Sequence, residues 1–533
     1  MNTPSRNSPC PCGSGKKYKK CCLNRASSTN AATGKPANFG HNAKNVAPPS
    51  DLLLKGVTLH QAGRLNEAEQ VYRRLLSDNP VNSDALHYLG LIAYQRQRYP
   101  DAIAMIEAAI KNNNRVPAFY CNLGNAYKSM GQFDQAISAY REAVRLDPGF
   151  QAAYNNLGSA LIARGDLDEA AASCRRALEL KPDFAEAHYN LGMALYDLGR
   201  PDEAAASYRQ AIRFKPDYAK AMLYLGHASC MLDDLAKAAS AYQAALKYDP
   251  ANEGLEAAVY LAIFSYLEGD LEQCKIMLDA SRPILTSNDV SRKTPAVYWS
   301  YIDKLLTASH TAVKAVPDSN ENEILYVVGD SNSLGAHGVG VRYKGSDMRC
   351  SAEWIIGCKQ WHLGNDRPNI YKYKFDRVMA RLPRNSTILL RIGGIDCRHD
   401  EGIIVASEKH PERSLEEIIH ATVAGYLKYV MAAGARAGHR IIVGGVPATN
   451  LNLSTLTKPK AERFVGVIRL FNESLKEQTL AAGLDFLDIY ALTDRGDGIA
   501  NGEWHIDYFH LQPHAIVEAF DRHISSNSQH GNS

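Results

Sequence analysis

Three residue types that together make an activated nucleophile recur in the C-terminal part of this sequence. Ser331 follows an apolar run in Gly329-Asp330-Ser331-Asn332, and Asp507 and His510 stand on one turn in His505-Ile506-Asp507-Tyr508-Phe509-His510. A serine hydroxyl is a weak nucleophile until an imidazole takes its proton, and that imidazole must be oriented by a carboxylate. Asp507 and His510 can supply both. The chemistry so spelled is acyl transfer through a serine. His505, Asp507 and His510 also leave open a reading as metal ligands, although no further motif of ligand spacing accompanies them.

The elements that must position these groups follow from hydrophobic periodicity. Residues 324–328, 387–392, 440–443 and 484–489 read as short buried strands, with helices near 414–437, 459–482 and 513–525. Ser414 and Glu417 make a capping box, and Gly438 closes the helix they start. The alternation predicts an α/β domain with a mostly parallel sheet, whose ligand crevice lies beyond the C-terminal ends of the strands. Ser331 follows the first strand, Gly444-Gly445-Val446-Pro447 ends the third, and the Asp507–His510 block precedes the last helix.

These blocks resemble the SGNH or GDSL hydrolase family: Gly-Asp-Ser after the first strand, a glycine motif after a middle strand, and Asp-x-x-His before the final helix. The resemblance implies a three-layer domain at 322–526, followed by a disordered tail at 527–533. It makes Ser331 the nucleophile, His510 the general base and Asp507 its orienting partner. Gly357, in Ile356-Gly357-Cys358, matches the second-block glycine, whose N–H would join that of Ser331 in an oxyanion hole. In the third block the family usually has Gly-x-Asn-Asp, whereas this chain has Gly393-Gly394-Ile395-Asp396-Cys397-Arg398. Ile395 thus replaces a donor whose loss typically costs about two to three orders of magnitude in rate. Arg398 and Asn332 are the candidate substitutes. The resemblance calls for no cofactor in this domain. His399 and His410 read as solvated loop residues, and Trp361 and Trp504 as packing residues near the crevice.

Four further cysteines carry different chemistry. Cys10 and Cys12 are one residue apart, and Cys21 and Cys22 follow after a loop rich in lysine. Four soft thiolates on so short a segment suit tetrahedral Zn²⁺, and the lysines favour the thiolate form. Metal binding would supply the folding energy that so small a module lacks. The pattern resembles the SEC-C motif, which implies a structural zinc and a docking role at 1–24. Its partner is unidentified, with the ribosome or the translocation machinery as candidates. Residues 25–50, rich in Ser, Ala, Asn, Gly and Pro, read as a flexible linker.

Between these regions the chain is periodic. Gly56, Gly90, Gly124, Gly158, Gly192 and Gly226 recur every 34 residues, each followed twelve residues later by an alanine (Ala68, Ala102, Ala136, Ala170, Ala204, Ala238). Prolines at 80, 148, 182, 216 and 250 end the second helix of their units, while Asn114 stands in for one of them. This resembles the tetratricopeptide repeat (TPR), implying an all-α solenoid at 51–280 of six regular repeats plus a degenerate capping pair, with a transition segment at 281–321. Two residues before the repeat glycine stand Tyr88, Asn122, Asn156, Asn190 and Tyr224. The asparagines should form a ladder along the concave face, able to hold the backbone of a bound polypeptide. Such a ladder is similar to that in the repeats of O-linked N-acetylglucosamine transferases; the alternative is a polar groove without a ligand.

Composition bounds the whole. A chain of 533 residues exceeds one core, and the expected organisation is multidomain: a zinc module, a TPR solenoid, then an α/β SGNH-like domain. Residues 1–50 hold eight Lys and Arg and no acid, so the formal +3 less 8 leaves −5 on the rest. The short basic arm reads as solvated, and nucleic acid is not the expected partner. No segment has the apolar length of a membrane span, no secretion signal opens the chain, and the eleven cysteines do not frame a disulfide scaffold. The expected location is the cytoplasm. The expected function is polypeptide binding coupled to a serine esterase or acyltransferase acting on an acyl ester of a carbohydrate or bound protein. A non-catalytic scaffold and a glycosyltransferase-related repeat protein are the alternatives.

Overall fold

A computed structural model describes residues 51–286, 293–308, 323–355, 358–394, 396–398, 402–451, 453–507 and 510–530. The cysteine module, the linker, Gly357, Ile395, His399 and the Tyr508-Phe509 pair lie outside these residues. The described chain falls into two compact units, dividing between Ala194 and Leu195.

Fourteen α-helices run from Asp51 to Ser281, in seven antiparallel pairs. The pairing is set by the repeat glycines. At Gly124 a Cβ would stand 2.6 Å from the Tyr140 ring, and Gly56, Gly90, Gly158 and Gly226 face Tyr72, Ile106, Cys174 and Tyr242 in the same way. The 34-residue lock is therefore a glycine on the first helix and the side chain sixteen residues on, a Tyr, Ile or Cys. All six repeat alanines are fully buried, as close helix approach requires. The turn within each pair needs a left-handed residue. Gly63, Gly131, Gly165 and Gly199 fill it with φ of 72° to 93°, but Gln97 and Asp233 adopt it at 60° and 59°. The last pair, Glu253–Glu268 and Leu271–Ser281, stands where the capping pair is expected.

In the unit from Leu195 onward, the transition segment holds a helix of its own, Lys293–Ala308. Its Trp299, Tyr301, Ile302 and Leu305 share one buried cluster with Tyr260, Ile263 and Leu278 of the cap and with Leu334 beside Ser331. Helix Ala219–Met231 leads into the Asp233 turn, where that carboxylate meets three cations of helix Ile370–Arg381: Lys374, Arg377 at 2.6 Å and Arg381 at 2.8 Å.

The α/β region is a six-stranded mixed sheet: β1 (Glu323–Gly329), β2 (Gly340–Tyr343), β3 (Ser346–Trp354), β4 (Thr387–Arg391), β5 (Arg440–Gly444) and β6 (Asp485–Leu487), in the order β2-β3-β1-β4-β5-β6. All pairs are parallel except β2 with β3. β2 and β3 are additions to the expected strands. Alternate residues feed two cores: Val328, Ile388, Leu390 and Val443 pack with helices Leu415–Ala437 and Lys458–Ala481, while Leu325, Val327, Leu389 and Ile442 pack with helix His514–His530. That last helix extends past its expected end near 525. No helix among the described residues is long and apolar enough to cross a membrane.

Candidate active site

β1 delivers the serine. It ends at Gly329, where no Cβ fits against the Arg391 carbonyl of β4. Asp330 then caps a short 3₁₀ turn, Ser331–Ala336, accepting the Asn332 N–H at 2.9 Å while its own carbonyl accepts the Ser333 N–H at 3.0 Å and hydroxyl at 2.8 Å. Ser331 thereby stands at the sheet's C-terminal edge.

The other two groups come from a loop pinned at its ends by a bridge between His505 and Leu511 and by the Ile506 N–H donating to the His510 carbonyl at 2.9 Å. Asp507 Oδ1 accepts the backbone N–H of His510 at 2.8 Å, and its two oxygens lie 3.0 and 2.8 Å from His510 Nδ1. His510 Nε2 is 2.8 Å from Ser331 Oγ. With the carboxylate accepting the Nδ1–H hydrogen bond, Nε2 presents its lone pair to the serine hydroxyl. The three groups form one buried chain, His510 being 1% exposed and Ser331 5%. This is a geometry able to transfer a proton away from Oγ as it attacks a carbonyl.

The crevice beside Ser331 is lined by Asn332, Gly394, Cys397 and Arg398 and by the apolar Val446, Pro447, Ala448, Phe464 and Ile468. Gly445, just after β5, lets the chain pass close to Asn472: a Cβ there would meet Asn472 Oδ1 at 2.9 Å, the same oxygen that accepts the Val446 N–H at 2.8 Å. Asn332 lies at the crevice with one amide N–H donated to Asp330 Oδ1 at 3.0 Å. Gly393, at φ 134°, lies against Gln360 Nε2, which donates to the Ile392 carbonyl at 2.7 Å. Asp396 does not line the crevice. It accepts the N–H groups of Gln360 at 2.7 Å and Trp361 at 3.3 Å, clamping the third-block loop to the segment after β3.

Burial sets the charge states around the serine. It pushes the Asp396 carboxyl up to about 6 against those two N–H donors, and raises Asp330 against the Asn332 donors. It also lowers Arg391, which Asp330 and Tyr301 partly offset. Burial holds the Cys397 and Cys358 thiols well above their usual range, so neither is a rival nucleophile. His505, pushed down to about 4 by burial, is neutral at physiological pH. Trp504 is buried as expected, but Trp361 is 52% exposed: the short helix Gln360–Gly364 turns its indole outward while Gln360 and Leu363 face in.

One group at the site was missed from sequence. The Tyr301 ring, on helix Lys293–Ala308, stacks on the His510 imidazole with centroids 3.9 Å apart and planes at 15°. Nothing in the sequence of the transition segment ties Tyr301 to His510.

In the first unit the ladder asparagines reach the preceding repeat. Asn122 Nδ2 donates to His87 Nε2 at 2.9 Å, Asn156 to Asn125 Oδ1 at 3.1 Å, and Asn190 to Asn155 Oδ1 at 2.8 Å. His87 is able to accept because burial, with His60 nearby, drives its pKa down to about 3. Tyr88 stacks on Tyr72 with centroids 5.2 Å apart, and in the second unit Tyr224 packs between Tyr208 and His227.

Comparison with known proteins identifies two of the three regions. Tetratricopeptide-repeat models match residues 53–117, 121–185 and 185–218, and the SEC-C motif model matches residues 6–24. A probable UDP-N-acetylglucosamine–peptide N-acetylglucosaminyltransferase of Arabidopsis thaliana is 38% identical over 85 residues, 16% of this chain and 8% of that protein. The uncharacterized protein YecA of Escherichia coli is 80% identical over 20 residues, 4% of this chain and 9% of that one. The chain thus spans less than a tenth of the length of these curated relatives. Among solved structures, MamA is 26% identical, covering 30% of this chain and 94% of its own at a TM-score of 0.29. YrrB, described as a TPR protein with an unusual peptide-binding site, is 20% identical, covering 35% of this chain and 96% of its own at a TM-score of 0.30.

Proposed function

We propose that this protein is a polypeptide-binding tetratricopeptide scaffold joined to a serine-dependent acyl hydrolase of the SGNH type. The observation that carries the catalytic half is the hydrogen-bonded chain from Ser331 Oγ through His510 to Asp507. In the proposed reaction Ser331 Oγ attacks an ester carbonyl as His510 Nε2 takes its proton. Asp507 holds the resulting imidazolium at Nδ1. The Ser331 N–H and the Asn332 amide, together with Arg398, are the nearest candidates to stabilise the oxyanion that Ile395 cannot serve. His510 then returns the proton to the leaving alkoxide, leaving Ser331 acylated. Water attacks that acyl group next, giving one proton to His510 Nε2, and as the second oxyanion collapses His510 returns that proton to Ser331 Oγ, freeing the carboxylic acid and the serine hydroxyl. A hydroxyl acceptor in place of water would make the same site an acyltransferase. The apolar wall of Val446, Phe464 and Ile468 suits the acyl side of the substrate, either a carbohydrate ester or an acylated protein.

A fluorophosphonate probe tests this. Labelling of the full chain that vanishes in Ser331→Ala is expected, and a folded wild type that does not label would sink the enzyme reading. Ile395 favours that second reading, a scaffold whose α/β domain has lost turnover. The repeats support capture of a polypeptide partner; the glycosyltransferase reading predicts nucleotide-sugar binding, which a binding assay with the full chain would reveal.

At the N-terminus, Cys10, Cys12, Cys21 and Cys22 form a donor set that fits one Zn²⁺, which would supply folding energy and no chemistry at Ser331. Elemental analysis should find about one zinc per chain, falling to none when Cys21 and Cys22 become Ser. Retention of zinc in that variant would remove the assignment.

A further inference from the structure

We propose that Tyr301 is a positioning residue for His510, so that the site is completed by a helix lying between the repeats and the sheet. The inference rests on reading Ser331, His510 and Asp507 as catalytic. The Tyr301 ring lies nearly parallel to the imidazole at 3.9 Å, and the side chain is fully buried. Its hydroxyl is anchored at 3.4 Å from the carbonyl of Leu511, the residue after His510. It also reaches Gly335, on the 3₁₀ turn that begins with Ser331, where a Cβ would collide with the phenol oxygen. One side chain therefore touches the backbone on both sides of the Ser331–His510 contact and covers a face of the imidazole.

Two physical effects follow. Asp507 holds the imidazole only at Nδ1, which leaves the ring free to tilt about that bond each time the Nε2 contact to Ser331 breaks. A flat ring against its face restricts that tilt. The π-face of a phenol is also electronegative, so it favours the imidazolium that forms when His510 takes the serine proton. Burial holds the phenol's own pKa well above its usual value, so Tyr301 itself stays neutral. Its role is to hold His510 and stabilise the charge on it.

The test uses the full chain with Y301F and Y301L, following the limiting rate and half-saturation of fluorophosphonate labelling alongside the melting temperature. Y301L should lower the limiting rate about tenfold with half-saturation unchanged, as loss of a ring–cation contact would, and Y301F should restore it to within about threefold of wild type. A wild-type rate in Y301L, or an equal loss in Y301F, overturns the assignment. An independent reading comes from NMR of the unmutated chain, with His510 assigned by its loss in H510N. The His510 Hε1 resonance should be shifted upfield by the Tyr301 ring, and an unshifted resonance overturns the stacking even if Y301L fails to fold. A wild type that shows the shift but takes no label overturns the catalytic reading on which the role depends, while one that labels without regard to Tyr301 overturns the positioning alone.

Discussion

In the helical repeats the contacts that hold the structure are copied. Gly124 receives Tyr140 as Gly226 receives Tyr242, and Asn122, Asn156 and Asn190 each bond to a side chain 31 to 35 residues back. Around Ser331 every contact occurs once, and it joins residues far apart: His510 is 179 positions from Ser331, and Tyr301 meets a carbonyl 210 positions away. Copied contacts spread the cost of an error over several repeats. A unique contact has no second copy, so its loss should abolish chemistry while leaving the fold. Asp233 lies between the two cases, because a position that is glycine in four other repeats has been given over to a once-only task.

Asp507→Asn should show the largest effect. Removing the carboxylate that fixes the His510 tautomer is expected to lower the labelling rate roughly 10⁴-fold, with the urea midpoint nearly unchanged. A variant of wild-type activity would show that the unique contacts are dispensable and break the comparison.

Asp233→Ala should act on stability instead, costing about 1–3 kcal/mol at neutral pH because the buried Lys374 ammonium loses its carboxylate and keeps only the Cys230 carbonyl. Burial pushes the Asp233 carboxyl up, but Lys374, Arg381 and Arg377 outweigh it and hold the pKa below the ordinary aspartate range. A group with a depressed folded pKa contributes fully above its unfolded value and loses that contribution as pH falls through the folded one. The difference in unfolding free energy between wild type and variant should therefore be constant near neutrality and shrink in strong acid. A gap that persists or widens there would point to backbone strain in the variant, since alanine tolerates φ 59° less well than aspartate.

Replacing Asn122, Asn156 or Asn190 singly by Ala should have the smallest effect, about 0.5–1.5 kcal/mol for the hydrogen bond lost. Capture of polypeptide from a peptide array should weaken as well. Unweakened capture would mean that the ladder serves only to join one repeat to the next.

The same contrast explains what could be read from the sequence. The repeats were legible because glycine and alanine recur at fixed offsets, and Ser331, Asp507 and His510 because each lies beside an apolar strand or within one turn of its partner. β3 was passed over even though Met348, Cys350 and Trp354 alternate with Asp347, Arg349 and Glu353. Its charged residues argue against the interior position it holds between β1 and β2, yet the period of two was present. Tyr301 had no such signal, since stacking on His510 depends on how the helix Lys293–Ala308 meets a loop 200 residues on. Trp361 misled in the other direction, because an indole on a five-residue helix can face water as easily as a core.

The buried cluster that runs from Tyr260 and Leu278 of the capping pair to Leu334 bears on the order in which the molecule comes apart. Leu334 belongs to the same short turn as Ser331, so fraying of the last helices would withdraw the support beneath that turn before the sheet itself opened. Those helices and that turn should then exchange their amide protons as one cooperative unit. If Ser331 acts as proposed, loss of fluorophosphonate labelling on heating would register the melting of those helices, well ahead of any signal from the strands.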